Sequence, residues 1–289
     1  MMVVSRNKLR LYNTSPYLTG ARLIAHFRET WNIPYNRHSW RLMLRIRDPV
    51  QPQFIASPSP TKAFDLYLKK NYPMTFQIVS INQDNLEDHP QVICFINPKH
   101  SAYHLKMDWL GDRFREGMRI KMLYIDGEKR PVGFIEYTPG EYCWRAVSAK
   151  GYLFIHCIWI SSNKYRQKGF ASLMLEDCLK DAEDNGFSGV AAMTSSGSFM
   201  ADHTLFLKHG FRVVDHHEPD DDLLIKALKD GPLPRFIEGK ESLPNYRGWH
   251  ILFSRQCPWV ARFIRDGRIL ADRYFSETRF RNILKKEGV

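Results

Sequence analysis

Residues 158–175 read IWISSNKYRQKGFASLML, and this stretch decides the fold. Its first three residues close the run 152–160, YLFIHCIWI. That run is dense enough in aromatic and β-branched side chains to predict a central strand covered on both faces. From Phe170 the period becomes helical. Ala171, Met174, Leu175, Cys178, Leu179 and Ala182 share one side, and Glu176, Asp177, Lys180, Asp181 and Asp184 take the other. Asn185-Gly186 then stops the helix. Between strand and helix lies a basic turn, Arg166-Gln167-Lys168-Gly169-Phe170-Ala171. A helix that begins there points its first unpaired N–H groups and the positive end of its dipole into the turn, which suits a phosphate or pyrophosphate. Gly169 lets an anion approach the backbone closely, and small Ala171 keeps that access open. Arg166 and Lys168 add positive charge there, or lie solvated at a helix start.

Working outward, residues 74–81 alternate as a strand, and Asn82 or Asp84 is placed to cap a short helix. A charged amphipathic helix fits 102–116. Residues 118–125 and 132–137 form the arms of a hairpin around Asp126-Gly127, ended by Pro139-Gly140. Beyond the long helix come a buried strand at 190–194, a short helix at 201–209 closed by Gly210, and strands at 211–214 and 223–228. The fold class is therefore α/β (α+β), a mixed, mostly antiparallel sheet flanked by helices.

The turn resembles the acetyl-CoA-binding motif of the GNAT acetyltransferase superfamily, Arg/Gln-x-x-Gly-x-Gly/Ala after its fourth strand. The later stretch FMADHTLFLKHGFRVV (199–214) resembles that family's second motif, a short helix ending in Gly-Phe and feeding a strand. The resemblance spans about 74–228, and the order of elements agrees along it. It implies acetyl-CoA as co-substrate. The backbone of Ile158 and Ile160 would pair with the pantetheine arm, and the amides around Gln167, Lys168, Gly169, Phe170 and Ala171 would cradle the pyrophosphate beside Arg166. It implies an N-acetyltransferase whose acceptor amine, on a small molecule or peptide, attacks the acetyl carbonyl directly. A non-catalytic acyl-CoA-binding or sensor protein of the same fold is the alternative.

Proton handling is less determined by the sequence. His156, two residues before Ile158, is a candidate base or a hydrogen-bonded core histidine. Glu136, on the preceding strand, is a candidate base or an exposed strand glutamate. The family often places a tyrosine acid four residues before the second motif's glycine; here that position is Phe206, which has no proton to give. Tyr137, Tyr142 and Cys157 are substitutes without an assigned place, and water is another. No metal site is expected, since His216-His217-Glu218-Pro219-Asp220-Asp221-Asp222 matches no closed zinc pattern and reads as a solvated acidic loop. Residues 195–198 lack a nucleophile elbow and read as a loop rimming the cleft.

Composition sets the remaining bounds. With 289 residues, 44% hydrophobic and 13% aromatic, the chain is not disordered throughout. No apolar run approaches the roughly 18 residues of a membrane span. The formal charge of +11 is uneven: residues 1–73 hold 12 Lys/Arg against 3 Asp/Glu, and the rest 30 against 28. Arg and aromatic residues in 1–73 follow no period, so this part is read as a poorly structured basic extension. A targeting segment and a nucleic-acid arm are the competing readings. A nucleic-acid partner is not expected of the nearly neutral remainder. Five cysteines without a pairing pattern, and no secretory leader, fit a cytoplasmic protein.

The domain division is then 1–73, an acetyltransferase-like domain at 74–230, and a C-terminal segment at 231–289. The last contains a strand at 249–253 and Cys257-Pro258 before an expected helix through Phe263. It resembles the thioredoxin-like start of the YoaP-like C-terminal domain, although Val260 stands where a resolving cysteine would be and the segment is short for a whole domain.

Overall fold

The structure is a computed structural model that describes residues 2–5, 8–11, 75–90, 97–196, 200–201, 203–237, 249–258, 264 and 278–282. The chain divides into two compact units, Met1–Tyr12 with Phe76–Val289, and Asn13–Thr75. All of the second but Thr75 lies outside the described residues, as do the helix expected after Cys257 and residues 197 and 198 of the 195–198 loop.

In the first unit the described elements run β1 (Met2–Ser5), β2 (Lys8–Leu11), β3 (Phe76–Ile81), α1 (Ser101–Arg115), β4 (Arg119–Ile125), β5 (Gly133–Pro139), β6 (Val147–Ser148) and β7 (Tyr152–Ile160). They continue with α2 (Phe170–Asp184), β8 (Gly189–Ser195), α3 (His203–Lys208), β9 (Arg212–His217), β10 (Asp221–Ala227), β11 (Arg235–Phe236), β12 (Trp249–Phe253) and β13 (Thr278–Asn282). A seven-stranded sheet has the order β3-β4-β5-β7-β8-β10-β9. Its neighbours are antiparallel except β7 and β8, which α2 joins as a crossover. The sheet is thus mixed and mostly antiparallel, as the sequence predicts, with β7 at its centre.

Alternation along β4 sorts the two faces. Ile120 and Met122 join Trp109 and Leu110 of α1, together with Phe134 and Cys157, in one core. Lys121 faces the other way, toward α2, where it pairs with Asp177 and, at 3.1 Å, with Asp181. Arg119 Nη1 reaches the same Asp181 oxygen at 2.8 Å, and the Tyr137 hydroxyl donates to it. The helix α2 buries Met174, Leu175, Cys178, Leu179 and Ala182 of the stripe its spacing predicts, and Phe170 and Leu173 besides, while Ala171 is half-buried.

Two local expectations are corrected. Asn82 caps no helix: its side chain accepts the N–H groups of Asp84 and Asn85, which closes a run of turns at 83–88. The polar residues there compete with a helix by bonding their own backbone. The pair His216-His217 ends strand β9 rather than lying in a loop. A second sheet orders β13-β12-β1-β2: inside the stretch read as a patternless extension, segment 2–5 pairs with β12 and segment 8–11 pairs with 2–5.

Candidate active site

The central geometric feature is a parting of β7 from β8. The two strands pair only over Tyr152–Ile155 and Gly189–Ala192, although β7 runs on to Ile160 and β8 to Ser195. On the opposite edge, β7 stays paired with β5, but the register shifts: Glu136 faces Cys157, while Tyr137 already faces Ile155. His156 is therefore the extra residue of a β-bulge, and such a bulge bends and twists its strand. Where β7 turns away, a small cavity open to solvent lies between the strands. Ile155, His156, Cys157 and Ile158 line it from β7, Ala192 and Met193 from β8, and Phe206 from α3; Arg145 is also in the wall.

The basic turn follows directly from that strand. Gln167 (φ 58°) and Gly169 (φ 84°) both adopt the left-handed conformation. Gly169 is the N-cap of α2 and contributes no side chain to cap it, so the first amides of the helix meet no capping group of their own. Gln167, Lys168 and Gly169 are exposed. Arg166 is not simply solvated: its Nε donates to the carbonyl of Ile160 at 3.2 Å and its Nη1 to Asn163 at 3.1 Å, tying the turn to the strand end. Tyr165 and Phe170 are buried edge-to-face beneath, so Phe170 offers only its backbone to the turn.

The proton-handling candidates separate. His156 is 6% exposed, in the cavity wall, and its Nε2 accepts the Trp144 N–H at 3.4 Å. Glu136 is not the exposed strand glutamate considered from sequence. It is 3% exposed, and both oxygens are engaged: Oε2 by Lys106 Nζ at 2.7 Å and Oε1 by Gln256 Nε2 at 2.6 Å. Phe206 is fully buried and packs edge-to-face on Phe211. Tyr137 points into the layer under α2. Burial, and then the neighbouring Cys178 and Asp181, push its phenol far above the ordinary value, and it lies away from the cavity. Tyr142 is exposed. Cys157 is the only one of the three substitutes in the cavity wall. Cys257 is buried and outside that wall.

At the far end of β8, Asp222 lies between two imidazoles, His216 Nδ1 at 2.8 Å and His203 Nδ1 at 3.3 Å. The hydrogen bond to Asp222 raises the His216 pKa. Among the described residues no group of three or more His, Cys, Asp or Glu could hold a metal ion. None of the described helices is long and apolar enough to cross a membrane.

Residues 79–211, which include the parted strands, the turn and α3, match the family model described as Acetyltransferase (GNAT) family. This part of the chain is a GNAT acetyltransferase domain. The chain is 28% identical over 202 residues, 68% of its own length and 78% of the other's, to a Bacillus subtilis (strain 168) protein named Uncharacterized N-acetyltransferase YoaP. Among solved structures it is similar to a GNAT-family acetyltransferase from Staphylococcus aureus Mu50, with 14% identity, a TM-score of 0.40, and 54% of this chain and 100% of that one covered. A PaiA N-acetyltransferase from Thermoplasma acidophilum, in complex with coenzyme A, has 15% identity, a TM-score of 0.39, and coverage of 53% and 99%.

For this GNAT domain, sequence reasoning misses three features: the bulge at His156, Lys106 and Gln256. The bulge depends on the register of a partner strand and leaves no mark in the period. Lys106 does leave one. The buried stripe of α1 is Ala102, Tyr103, Lys106, Trp109, Leu110 and Arg113, so two cations occupy positions that helical spacing assigns to the core.

Proposed function

We propose that this chain transfers an acetyl group from acetyl-CoA to the primary amine of a small molecule or peptide, by direct attack within a ternary complex. The observation that carries this reading is the parting of β7 and β8 into an open cavity, followed directly by the uncapped start of α2. The residues present fit the co-substrate. A 15-residue helix presents its N-terminus behind a left-handed glycine, with exposed Lys168 beside it. The amides of Gln167, Lys168, Gly169, Phe170 and Ala171 are the proposed cradle of the pyrophosphate, with Arg166 shaping the turn. The strand edge of Ile158 and Ile160, beyond the last pairing with β8, is the proposed rail for the pantetheine arm.

Bound acetyl-CoA would supply an activated thioester. The chain's own part is to hold the acceptor and take its proton. His156 lies in the cavity wall and is the proposed base. As the amine nitrogen forms its bond to the acetyl carbon, the C–S bond breaks, its electron pair leaves with the coenzyme sulfur, and the amine proton passes to His156. Base catalysis of this kind contributes about 10²- to 10⁴-fold. Glu136 is the weaker candidate, because both its oxygens are already engaged. The name of the Bacillus subtilis relative carries the same activity. A cytoplasmic setting is proposed on the five cysteines, which show no pairing pattern in the sequence. A second reading, an acyl-CoA-binding protein without turnover, is favoured by Phe206, a cavity residue with no proton to give.

The test is Gly169→Val. A β-branched residue at φ 84° is strained by about 1–2 kcal/mol and blocks the approach to the amides. Acetyl-CoA binding to the folded variant, measured calorimetrically, is expected to be lost, and undiminished affinity would overturn the assignment of the turn. Turnover of the wild-type chain on a panel of amines, amino acids and peptides separates enzyme from sensor.

A further inference from the structure

A buried polar cluster joins three distant parts of the chain behind the bulge. Lys106 of α1 is 1% exposed, and its ammonium donates to Glu136 Oε2 at 2.7 Å and to the carbonyl of Gln256 at 2.6 Å. A third face of that ammonium lies over the Trp109 ring, 4.6 Å from its centroid. Gln256, in the segment that follows β12, returns its side-chain amide to Glu136 Oε1 at 2.6 Å. One glutamine therefore satisfies an acid and a base together, with its amide N–H₂ and its backbone carbonyl. A buried carboxylate with only one partner would be strongly unfavourable, so the cluster works as a unit.

Its place in the sheet gives it a consequence for the site. Glu136 is the last residue of β5 in register before the shift, and its cross-strand partner Cys157 follows His156 directly. Cys157 and His156 both line the cavity, whereas Glu136 does not. Fixing Glu136 fixes the residue of β5 against which the bulge forms, and so the direction in which His156 is presented.

We propose that Lys106 and Gln256 are positioning residues for Glu136, and that the C-terminal segment, through Gln256, thereby sets the β5–β7 bulge that presents His156 to the acceptor. This rests on the reading of the cavity as the acetyl-transfer site. Glu136 then acts as an anchor and is not the base. The C-terminal segment completes the acetyltransferase domain.

The test is a swap across the Glu136–Gln256 hydrogen bond in the full chain. Glu136→Gln removes the anion from beside Lys106, and Gln256→Glu adds a second one. The double variant keeps one carboxylate, one amide and one ammonium in the same volume. Turnover is measured per acetyl-CoA-binding site counted by calorimetry, which normalises for misfolded protein. Each single variant is expected to lower kcat roughly 10- to 100-fold, the scale of a small misplacement of reacting groups, with acetyl-CoA affinity unchanged. The double variant is expected to regain most of that loss. A base at position 136 could not be rescued in this way, so a double variant as inactive as Glu136→Gln overturns the proposal. So does a Gln256→Leu chain with wild-type kcat per site. Failure of the wild-type chain to bind acetyl-CoA would instead overturn the underlying reading.

Discussion

His156 Nε2 accepts the backbone N–H of Trp144 at 3.4 Å, which links the bulge of β7 to the loop between β5 and β6. With its proton on Nδ1, the neutral ring leaves Nε2 to accept that N–H. The bond is long, hence weak. Replacing His156 with Gln keeps a polar side chain but removes the base. Steady-state assays are expected to show kcat lower by about 10²- to 10⁴-fold with little change in acetyl-CoA affinity. A variant within a few-fold of wild type would move the base elsewhere.

Asp181 governs the acid side of stability. Burial pushes its carboxyl upward, but hydrogen bonds from Tyr137 and Arg119 and the charge of Lys121 outweigh that and hold it below the ordinary value. A carboxyl depressed in the folded state stabilises the fold above its unfolded pKa of about 3.9, and that contribution is lost as pH falls through the folded value. Asp181→Asn is expected to cost roughly 1–3 kcal/mol at pH 7, the worth of hydrogen bonds to a charged group. It should also flatten the acid limb of stability below about pH 5, measured by urea unfolding between pH 3 and 7. An unchanged acid limb would assign the dependence to other carboxylates.

The elements that position the site were legible where one period governs a long segment. The strand at 152–160 and the helix from Phe170 to Asp184 stand where the dense β-branched and aromatic run and the 3.6-residue spacing place them. From sequence Glu136 is a candidate base or an exposed strand glutamate, the second because polar residues in a strand usually face water. Its partners lie 30 residues before it and 120 after it, beyond any local window. The Asn82 turn shows the opposite limit: a residue type suited to a helix cap also closes turns, and only the following residues decide between them.

The last expectation concerns the missing acid. Phe206 is fully buried and lines the cavity, at the position where the family often places a tyrosine acid. If protonation of the departing sulfur limited the reaction, restoring a hydroxyl there would bring a general acid worth about 10²-fold or more. A thiolate, however, is a good leaving group near neutrality, since thiols ionise around pH 8.5. It can depart unprotonated and take its proton from water. Phe206→Tyr is therefore expected to bind acetyl-CoA as the wild type does and to change kcat by less than about tenfold. Coenzyme release followed with a thiol reagent measures this. A rise of a hundredfold would show that the wild-type chain turns over slowly for want of an acid, and would strengthen the sensor reading.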